Sequence, residues 1–420
     1  MPNKTTMMQT TTSPTSFRKK TIGAFLIVIM SVCVTLFLLE IVVRLLPPPY
    51  PTDTGAIFAC DNALGWIGKP NFQGTLENSS FKQELAFNSL GMHDAEHSPD
   101  KSPDTFRILF LGDSFVHAVQ VAESATAHQV LENQLNEVEG LDGQSFEIIS
   151  SGVVNWGTNQ ELVYYREQGR EFQPDIVLLM VYLGNDFQDN LPGNVMTING
   201  FNCYSPYFAL CDGVLNPSQL TYAPGISKIE NNCTPLRRTL INGAGKLYQY
   251  SRLYQQLEPL IVANRPRQVF GKTYPLAFTA LYLPNEEAEL EQAYQITQAI
   301  IAQLRQEVEA DGAQFSVALI SPWPIIQISM LSPEEQKLFL KDNPQFSNAQ
   351  ADRPNRRMAE FLNNQQIPFV DLTQPLIEYS ASHNRIPLYI IGEGHWNTEG
   401  NQVVADVLAE WLKTQFLLNE

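Results

Sequence analysis

The segment 108–117, ILFLGDSFVH, runs from apolar residues directly into a glycine, an acid and a serine. The apolar run around it, FRILFL at 106–111, is short and nearly continuous, which predicts a buried strand that ends at Gly112. In α/β sheets, ligands bind beyond the carboxyl ends of the strands. The sequence therefore predicts that Ser114 lies at the ligand-binding edge of a sheet.

Strand-like and helix-like segments alternate from Phe106 onward. The run 175–183, DIVLLMVYL, is apolar on both faces, which is typical of the centre of a parallel sheet. The predicted strands are 106–111, 146–150, 175–183, 314–321 and 368–372. The predicted helices are 127–138, 159–172, 287–311, 356–366 and about 398–417. This order implies right-handed crossovers and predicts an α/β fold, a three-layer α/β/α sandwich around a central parallel sheet.

The N-terminal segment has the features of a membrane anchor. Residues 1–20 carry four basic residues and no acid, and the nineteen residues 21–39 carry no charge. Such a run is long enough to cross a bilayer once. A cleaved signal peptide is the main alternative, but the apolar run is longer than a usual signal core and no small-residue cleavage pattern follows it. By the positive-inside rule, everything after about residue 46 is expected to be extracytoplasmic.

These patterns divide the chain into four parts. We expect a cytoplasmic basic tail at 1–20, a transmembrane anchor at 21–46, a linker and N-terminal extension at 47–105, and the α/β domain at 106–420. Between about 188 and 285 the strand and helix alternation breaks, which predicts an insertion in that domain.

The cysteines are compatible with an oxidising compartment. Cys33 lies in the apolar segment, which leaves Cys60, Cys203, Cys211 and Cys233, an even number. Four cysteines allow three connectivities, and four buried thiols are the alternative. We expect Cys203 to pair with Cys211, which leaves Cys60 for Cys233.

Composition argues against several classes of function. The formal net charge of −17 repels nucleic acid, so no nucleic-acid partner is expected. The six histidines are scattered, without an HExxH or His-x-His pattern, and no glycine-rich phosphate loop is present. The sequence therefore predicts no metal site and no cofactor.

Polar groups suited to acyl transfer follow the predicted strands. A serine hydroxyl becomes a nucleophile only beside a base, and the tetrahedral intermediate needs hydrogen-bond donors for its oxygen. Ser114 can supply the hydroxyl and its own N–H, Asn185 a side-chain donor, His395 the base and Glu393 the acid that orients its ring. Singly, such residues are more often found in turns or caps. His117 competes as a base but is expected to line the pocket or to cap locally.

These segments resemble blocks of the SGNH, or GDSL, hydrolase superfamily. The resemblance covers roughly 106–187 and 388–404, and KPNF at 69–72 and FNSLG at 87–91 resemble bacterial relatives with an N-terminal anchor. It implies a flavodoxin-like SGNH hydrolase fold, with Ser114 as nucleophile, Asn185 as oxyanion donor, His395 as general base and a structural role for Asp113.

The chain departs from the family pattern at two places. Asn155 stands where the family commonly has a glycine whose N–H enters the oxyanion hole, and asparagine tolerates left-handed backbone geometry. In a shifted register, Gly152 or Gly157 would be the donor. Position 392 is Gly where the family commonly has Asp; GEGHWN resembles the Asp-x-His-Trp block of exopolysaccharide O-acetyltransferase relatives, with Glu393 replacing Asp. A Ser–His dyad is the alternative.

Three functions fit this pattern. The first is a membrane-anchored extracytoplasmic serine esterase that removes O-acyl, foremost O-acetyl, groups from an acylated glycan or another ester. The second is an O-acetyltransferase of a cell-envelope polysaccharide, which needs an acyl donor such as a multi-spanning partner. The third is a non-catalytic glycan-binding or assembly protein, motivated by Asn155 and Gly392.

Overall fold

The structure is a computed structural model of the whole chain. It describes residues 14–46, 54–137, 144–222, 233–261, 268–269, 272–273, 281, 288–322, 325–326, 328, 331–342, 352–390 and 393–417.

A five-stranded parallel sheet forms the centre of the molecule. Its strands are β5 (Thr105–Gly112), β6 (Ser145–Gly152), β7 (Ile176–Tyr182), β14 (Gln314–Ile320) and β15 (Phe369–Asp371). Their order is β15-β14-β7-β5-β6, and every neighbouring pair is parallel. This is the flavodoxin-like order, in which the chain moves to one side of β5 for β6 and to the other side for β7. The predicted fold class and all five predicted strands are confirmed.

Helices cover both faces of the sheet. The helices of the described residues are α1 (Pro14–Leu45), α2 (Thr54–Ile57), α3 (Ser114–His117), α4 (Ala127–Glu137), α5 (Thr158–Glu167), α6 (Asp186–Asp189), α7 (Pro235–Tyr250), α8 (Arg252–Ile261), α9 (Ala288–Ala310), α10 (Pro333–Asp342), α11 (Arg353–Asn364), α12 (Thr373–Ser382) and α13 (Thr398–Leu412). Helices α5 and α9 pack on one face, and α4 and α13 on the other.

Strand β5, which lies between β7 and β6, shows how the sheet is buried on both faces. Leu109 and Leu111 face the core beneath α5 and α9, whereas Ile108 and Phe110 face the core beneath α4 and α13. All four side chains are at most 2% exposed. Each such side chain contributes about 1.5–3 kcal/mol when it leaves water. The continuous apolar run in the sequence is the consequence of this two-sided burial.

Short antiparallel hairpins lie outside the sheet. They pair β1 (Phe58–Asp61) with β2 (Gly65–Gly68), β3 (Gln73–Glu77) with β4 (Lys82–Ala86), β8 (Val195–Ile198) with β9 (Phe201–Tyr204), β10 (Leu210–Cys211) with β11 (Val214–Leu215), and β12 (Gln268–Val269) with β13 (Lys272–Thr273). The first two precede the sheet in the chain, and the others follow β7.

Two buried tryptophans tie the first hairpin to the loop after β6. Trp66 Nε1 donates to the Val154 carbonyl at 2.9 Å, and Trp156 Nε1 donates to the Trp66 carbonyl at 2.9 Å. Both rings are fully buried. Because buried indole N–H groups need acceptors, this reciprocal pair fixes the hairpin against the sheet edge.

A buried ionic network holds the segment after β4 against β6. Asp94 accepts from the backbone N–H of Ser150 at 2.7 Å and contacts His97 Nε2 at 3.0 Å. His97 Nδ1 lies 2.6 Å from Glu147 of β6. Burial lowers the pKa of His97, but the two carboxylates outweigh burial and raise that pKa to about 9. His97 is therefore a cation shared by the buried Asp94 and the partly buried Glu147.

The four cysteines that follow α1 pair, but the predicted partners were wrong. The disulfides join Cys60 to Cys203 and Cys211 to Cys233, with Cα atoms 5.6 Å apart in each pair. The hairpin β1–β2 packs against β8–β9, which brings Cys60 of β1 beside Cys203 of β9. The expected partners, Cys203 and Cys211, belong to separate hairpins.

The N-terminal helix α1 has the length and composition of a membrane span. Residues 22–45 form an apolar stretch of 24 residues that is almost wholly unburied by the rest of the chain. A helix in the core of a soluble protein would bury such residues. The apolar helix and the disulfides together indicate an extracytoplasmic domain.

Candidate active site

Ser114 stands at the turn between β5 and α3. The strand ends at Gly112 and the helix begins at Ser114. Ser114 is 8% exposed. The Asp113 carboxylate accepts from the N–H of Phe115 at 2.9 Å and so caps the short helix. The turn lies beside the switch point between β5 and β7, where flavodoxin-like sheets open a crevice.

Two glycines make room for this turn. Gly112 and Gly152 are paired in the register of β5 and β6. A Cβ at Gly112 would lie 2.4 Å from Val116 Cγ2, and one at Gly152 would lie 2.5 Å from Val116 Cβ. Any larger residue would therefore push α3, and with it Ser114, away from the sheet edge.

His395 reaches the serine from the other end of the domain. Its Nε2 lies 2.7 Å from Ser114 Oγ. The backbone around it is held because the His395 carbonyl accepts from Ile390 N at 2.8 Å and the Trp396 carbonyl accepts from Gln120 Nε2 at 3.0 Å. A nucleophile and base within hydrogen-bond reach satisfy the first geometric requirement of covalent acyl transfer.

Glu393 holds His395 at two points. One carboxylate oxygen lies 2.6 Å from the ring Nδ1, and the other accepts the His395 backbone N–H at 2.9 Å. Gly394, with a φ of 95°, supplies the left-handed residue that turns the chain back between them. The longer side chain of glutamate therefore reaches the ring from two residues away. Gly392, the other departure from the family pattern, lies outside the described residues.

The electrostatics of Glu393 suit an acid that stays ionised. Burial raises its pKa, but the hydrogen bonds and charge of His395 outweigh burial and hold the pKa below its usual range. A carboxylate on Nδ1 fixes the tautomer that leaves Nε2 free to accept the serine proton. Ser114, His395 and Glu393 thus form one hydrogen-bonded chain in the order that a triad requires.

Phe115 packs against the ring of His395. Its buried ring lies 4.9 Å from the His395 ring and 4.7 Å from the Trp396 ring, centroid to centroid. It also packs 4.6 Å from the Tyr182 ring at the end of β7. Phe115 therefore acts as an aromatic wedge that limits rotation of the His395 ring.

Asn155 adopts the left-handed backbone that its residue type tolerates. Its φ is 67°, in the left-handed region that asparagine tolerates. Its carbonyl accepts from Asn194 Nδ2 at 3.3 Å, while its N–H has no acceptor among the described residues. The alternatives are less suited, because Gly152 belongs to the β6 ladder and the Gly157 N–H points to Gln160 Oε1 at 3.4 Å.

Asn185 follows β7 at the same edge of the sheet. Its Nδ2 donates to Asp189 at 2.5 Å, which fixes the orientation of the amide. An amide nitrogen carries two hydrogens, so one remains for an oxyanion. The roles of Asn155 and Asn185 in an oxyanion hole stay predictions.

His117 does not serve the serine. Its ring is buried between Phe87 and Phe58, with centroid distances of 4.9 and 6.0 Å. Burial, with a smaller contribution from the charge of His93, lowers the pKa of His117 to about 3. The ring is therefore neutral and packs against the two phenylalanines, whereas the sequence led us to expect that it lines the pocket or caps locally.

Four buried carboxyl groups lie beneath the turn, and sequence reasoning missed them as a group. They are Asp113, Glu161 of α5, and Asp186 and Asp189 of α6. Burial, followed by the charges of Asp113 and Asp189, raises the pKa of Glu161 well above its usual range, and burial also raises that of Asp186. An acid flanked by Leu162, Val163 and two tyrosines on one helix was the available signal of burial.

Comparisons with known proteins find distant structural similarity alone. Scans against protein-family models and curated proteins find no match. Among solved structures, a GDSL-like lipase from Bacteroides thetaiotaomicron has 12% identity and a TM-score of 0.35, covering 76% of this chain and 92% of that one. An acetyl xylan esterase has 13% identity and a TM-score of 0.35, covering 73% and 98%. A variant of an acetyl-xylooligosaccharide esterase from Geobacillus has 10% identity and a TM-score of 0.36, covering 74% and 96%.

The negative charge of Glu393 can be removed without changing the size of its side chain. Glu393→Gln keeps the size of the side chain but removes the charge that stabilises the imidazolium form of His395. We expect kcat for p-nitrophenyl acetate to fall by about 100- to 10,000-fold with KM little changed. Glu410→Gln, an exposed change on α13, is the matched control. An unchanged rate in Glu393→Gln would mean that Ser114 and His395 work as a dyad.

The buried carboxyl of Glu161 should make the free energy of unfolding depend on pH. Since its folded-state pKa is raised, Glu161 contributes stability below the ordinary carboxyl pKa, and this contribution is lost as pH rises through the raised value. Glu161→Gln mimics the protonated acid, so its free energy of unfolding should decline less steeply between pH 5 and 8, by up to about 1.4 kcal/mol per pH unit.

Urea unfolding of the full chain in detergent, followed by tryptophan fluorescence, measures this difference. Titration of His97 affects both proteins and cancels in the comparison. Glu167→Gln, an exposed change on the same helix, should run parallel to wild type. Parallel curves for Glu161→Gln as well would show that Glu161 is ionised in the folded protein.

Proposed function

We propose that this chain is a membrane-anchored, extracytoplasmic serine esterase that removes O-acyl, foremost O-acetyl, groups from a glycan or another ester. The observation that carries the proposal is the contact chain from Ser114 Oγ to His395 Nε2, at 2.7 Å, and from His395 Nδ1 to Glu393, at 2.6 Å. These two contacts support a catalytic role over a purely structural or glycan-binding role.

The first half-reaction follows from these contacts. His395 Nε2 takes the Ser114 proton while Oγ attacks the ester carbonyl carbon. The carbonyl oxygen becomes an oxyanion, and the N–H groups of Ser114 and Asn155 with the Asn185 amide donate to it. When the intermediate collapses, the leaving alkoxide takes the proton from His395, and an acyl-serine remains.

The second half-reaction uses the same groups in reverse. A water molecule gives its proton to His395 Nε2 and attacks the acyl-serine, and collapse returns the proton to Ser114 Oγ. If a sugar hydroxyl replaces water, the same steps transfer the acyl group to a glycan. The Glu-x-His-Trp block at 393–396 favours this O-acetyltransferase as the second candidate.

The proposal is tested with the full chain in detergent micelles and p-nitrophenyl acetate, with and without cellohexaose as an acceptor. We expect nitrophenol release by wild type and by the control Ser102→Ala, an exposed change, and a loss of at least about 1,000-fold in Ser114→Ala. Free acetate as the only acyl product supports an esterase, and acetylated cellohexaose supports the transferase. Equal release by wild type and Ser114→Ala would overturn both.

A further inference from the structure

Helix α7 has two apolar faces, of which the protein covers one. Ile241, Gly245 and Tyr248 are buried against the rest of the insertion. On the opposite side four large apolar residues are exposed: Leu236 at 72%, Leu240 at 62%, Leu247 at 63% and Tyr250 at 53%. Their spacing of three, four and seven residues places them on one stripe, about 21 Å long at the helical rise of 1.5 Å per residue. Such a stripe on a soluble surface marks an interaction site.

The charge around this stripe is unlike that of the whole chain. Helix α7 contains three basic residues, Arg237, Arg238 and Lys246, and no acid, whereas the chain as a whole has a net charge of −17. Lys246 lies beside the stripe and is exposed. An apolar helix face with basic neighbours is the composition of helices that lie in the interface of an anionic bilayer.

The end of α7 lies against the end of the apolar helix α1. The Arg44 guanidinium donates to the carbonyl of Tyr250, the last residue of α7. Glu40 caps the next helix, α8, by accepting from Ser251 Oγ at 2.8 Å and from the N–H groups of Arg252 and Leu253 at 2.9 and 3.0 Å. The uncharged run of α1 ends just before Glu40, at Leu39. If α1 spans the membrane, these contacts put the end of α7 at headgroup level.

We propose that the exposed face of α7, formed by Leu236, Leu240, Leu247 and Tyr250, lies in the outer interface of the bilayer that α1 crosses. The proposal rests on the proposed membrane anchor. The apolar side chains enter the acyl boundary, and Lys246 meets anionic headgroups. Because α1 and α7 would then both contact the membrane, together they fix the orientation of the domain relative to the bilayer.

This arrangement also connects the membrane face to the candidate active site. Tyr248, on the buried side of α7, packs against Tyr204 with ring centroids 5.5 Å apart. Beside Tyr204, the Ser205 N–H donates to the Asn194 carbonyl at 3.0 Å, and Asn194 Nδ2 donates to the Asn155 carbonyl. The insertion therefore supports the Asn155 loop on one side and presents α7 to the bilayer on the other.

The test places a nitroxide on the stripe in the full chain. Leu240→Cys is made in a Cys33→Ser background, labelled, and reconstituted at one copy per nanodisc of phosphatidylcholine and phosphatidylglycerol in a 3:1 ratio. Leu338→Cys on α10, also 62% exposed, is the aqueous control, and Val28→Cys on α1 is the membrane control. Power-saturation EPR compares collisions with oxygen, which partitions into lipid, and with a water-soluble nickel chelate.

We expect the label at Leu240 to resemble the one at Val28, with oxygen collisions favoured several-fold over the nickel chelate, and the label at Leu338 to show the reverse. A label at Leu240 that behaves like the one at Leu338, while Val28 reports lipid, would overturn the membrane face and leave the anchor intact. A label at Leu240 that is shielded from both oxygen and the nickel chelate would also overturn the membrane face, because protein would then cover the stripe. An aqueous signal at Val28 would remove the anchor itself.

Discussion

Parallel strands end at one edge of their sheet, and every group of the candidate site depends on that constraint. Ser114 follows β5 and Asn185 follows β7, two adjacent strands whose connections leave in opposite directions. Asn155 follows β6 on the other side of β5. His395 is brought to the same edge by the segment that precedes the last helix. A hydrogen bond across 281 residues of sequence is thus a short contact in space.

The carboxyl groups around the site differ in protonation state. Glu393 pairs with His395 and stays ionised, whereas burial and like charges keep Glu161 and Asp186 inclined to hold their protons. Neutral acids beneath the turn can be packed without the large cost of burying several charges together. The other ionic group, around His97, is balanced by its own cation and ties the N-terminal segment to the sheet. One fold therefore contains carboxyl groups with three different tasks.

Local sequence patterns were sufficient wherever burial is continuous along the chain. The runs at 106–111 and 175–183 identified central strands because such strands are apolar on both faces. Short motifs beside predicted elements made Ser114, Glu393 and His395 candidates, and the structure places the three within hydrogen-bond reach of one another. Residue type indicated only that Asn155 could adopt the left-handed backbone that the structure shows.

What the patterns missed depends on packing between distant elements. The disulfide partners follow from how the β1–β2 and β8–β9 hairpins meet, which spacing between cysteines does not encode. The acid cluster needs α5, α6 and the turn after β5 to converge. The exposed stripe of α7 becomes visible only when its other face is seen to be covered. In each case the deciding contact joins residues whose separation in sequence carries no periodic signal.

The central claim is that Ser114 is a nucleophile activated by His395, and covalent labelling tests it most directly. The full chain in detergent is treated with a fluorophosphonate ester, and the modified peptide is located by mass spectrometry. We expect a single phosphonylated residue, Ser114, and a far slower reaction in His395→Ala. Modification elsewhere, no modification of the folded wild type, or an equal rate in His395→Ala would contradict the account.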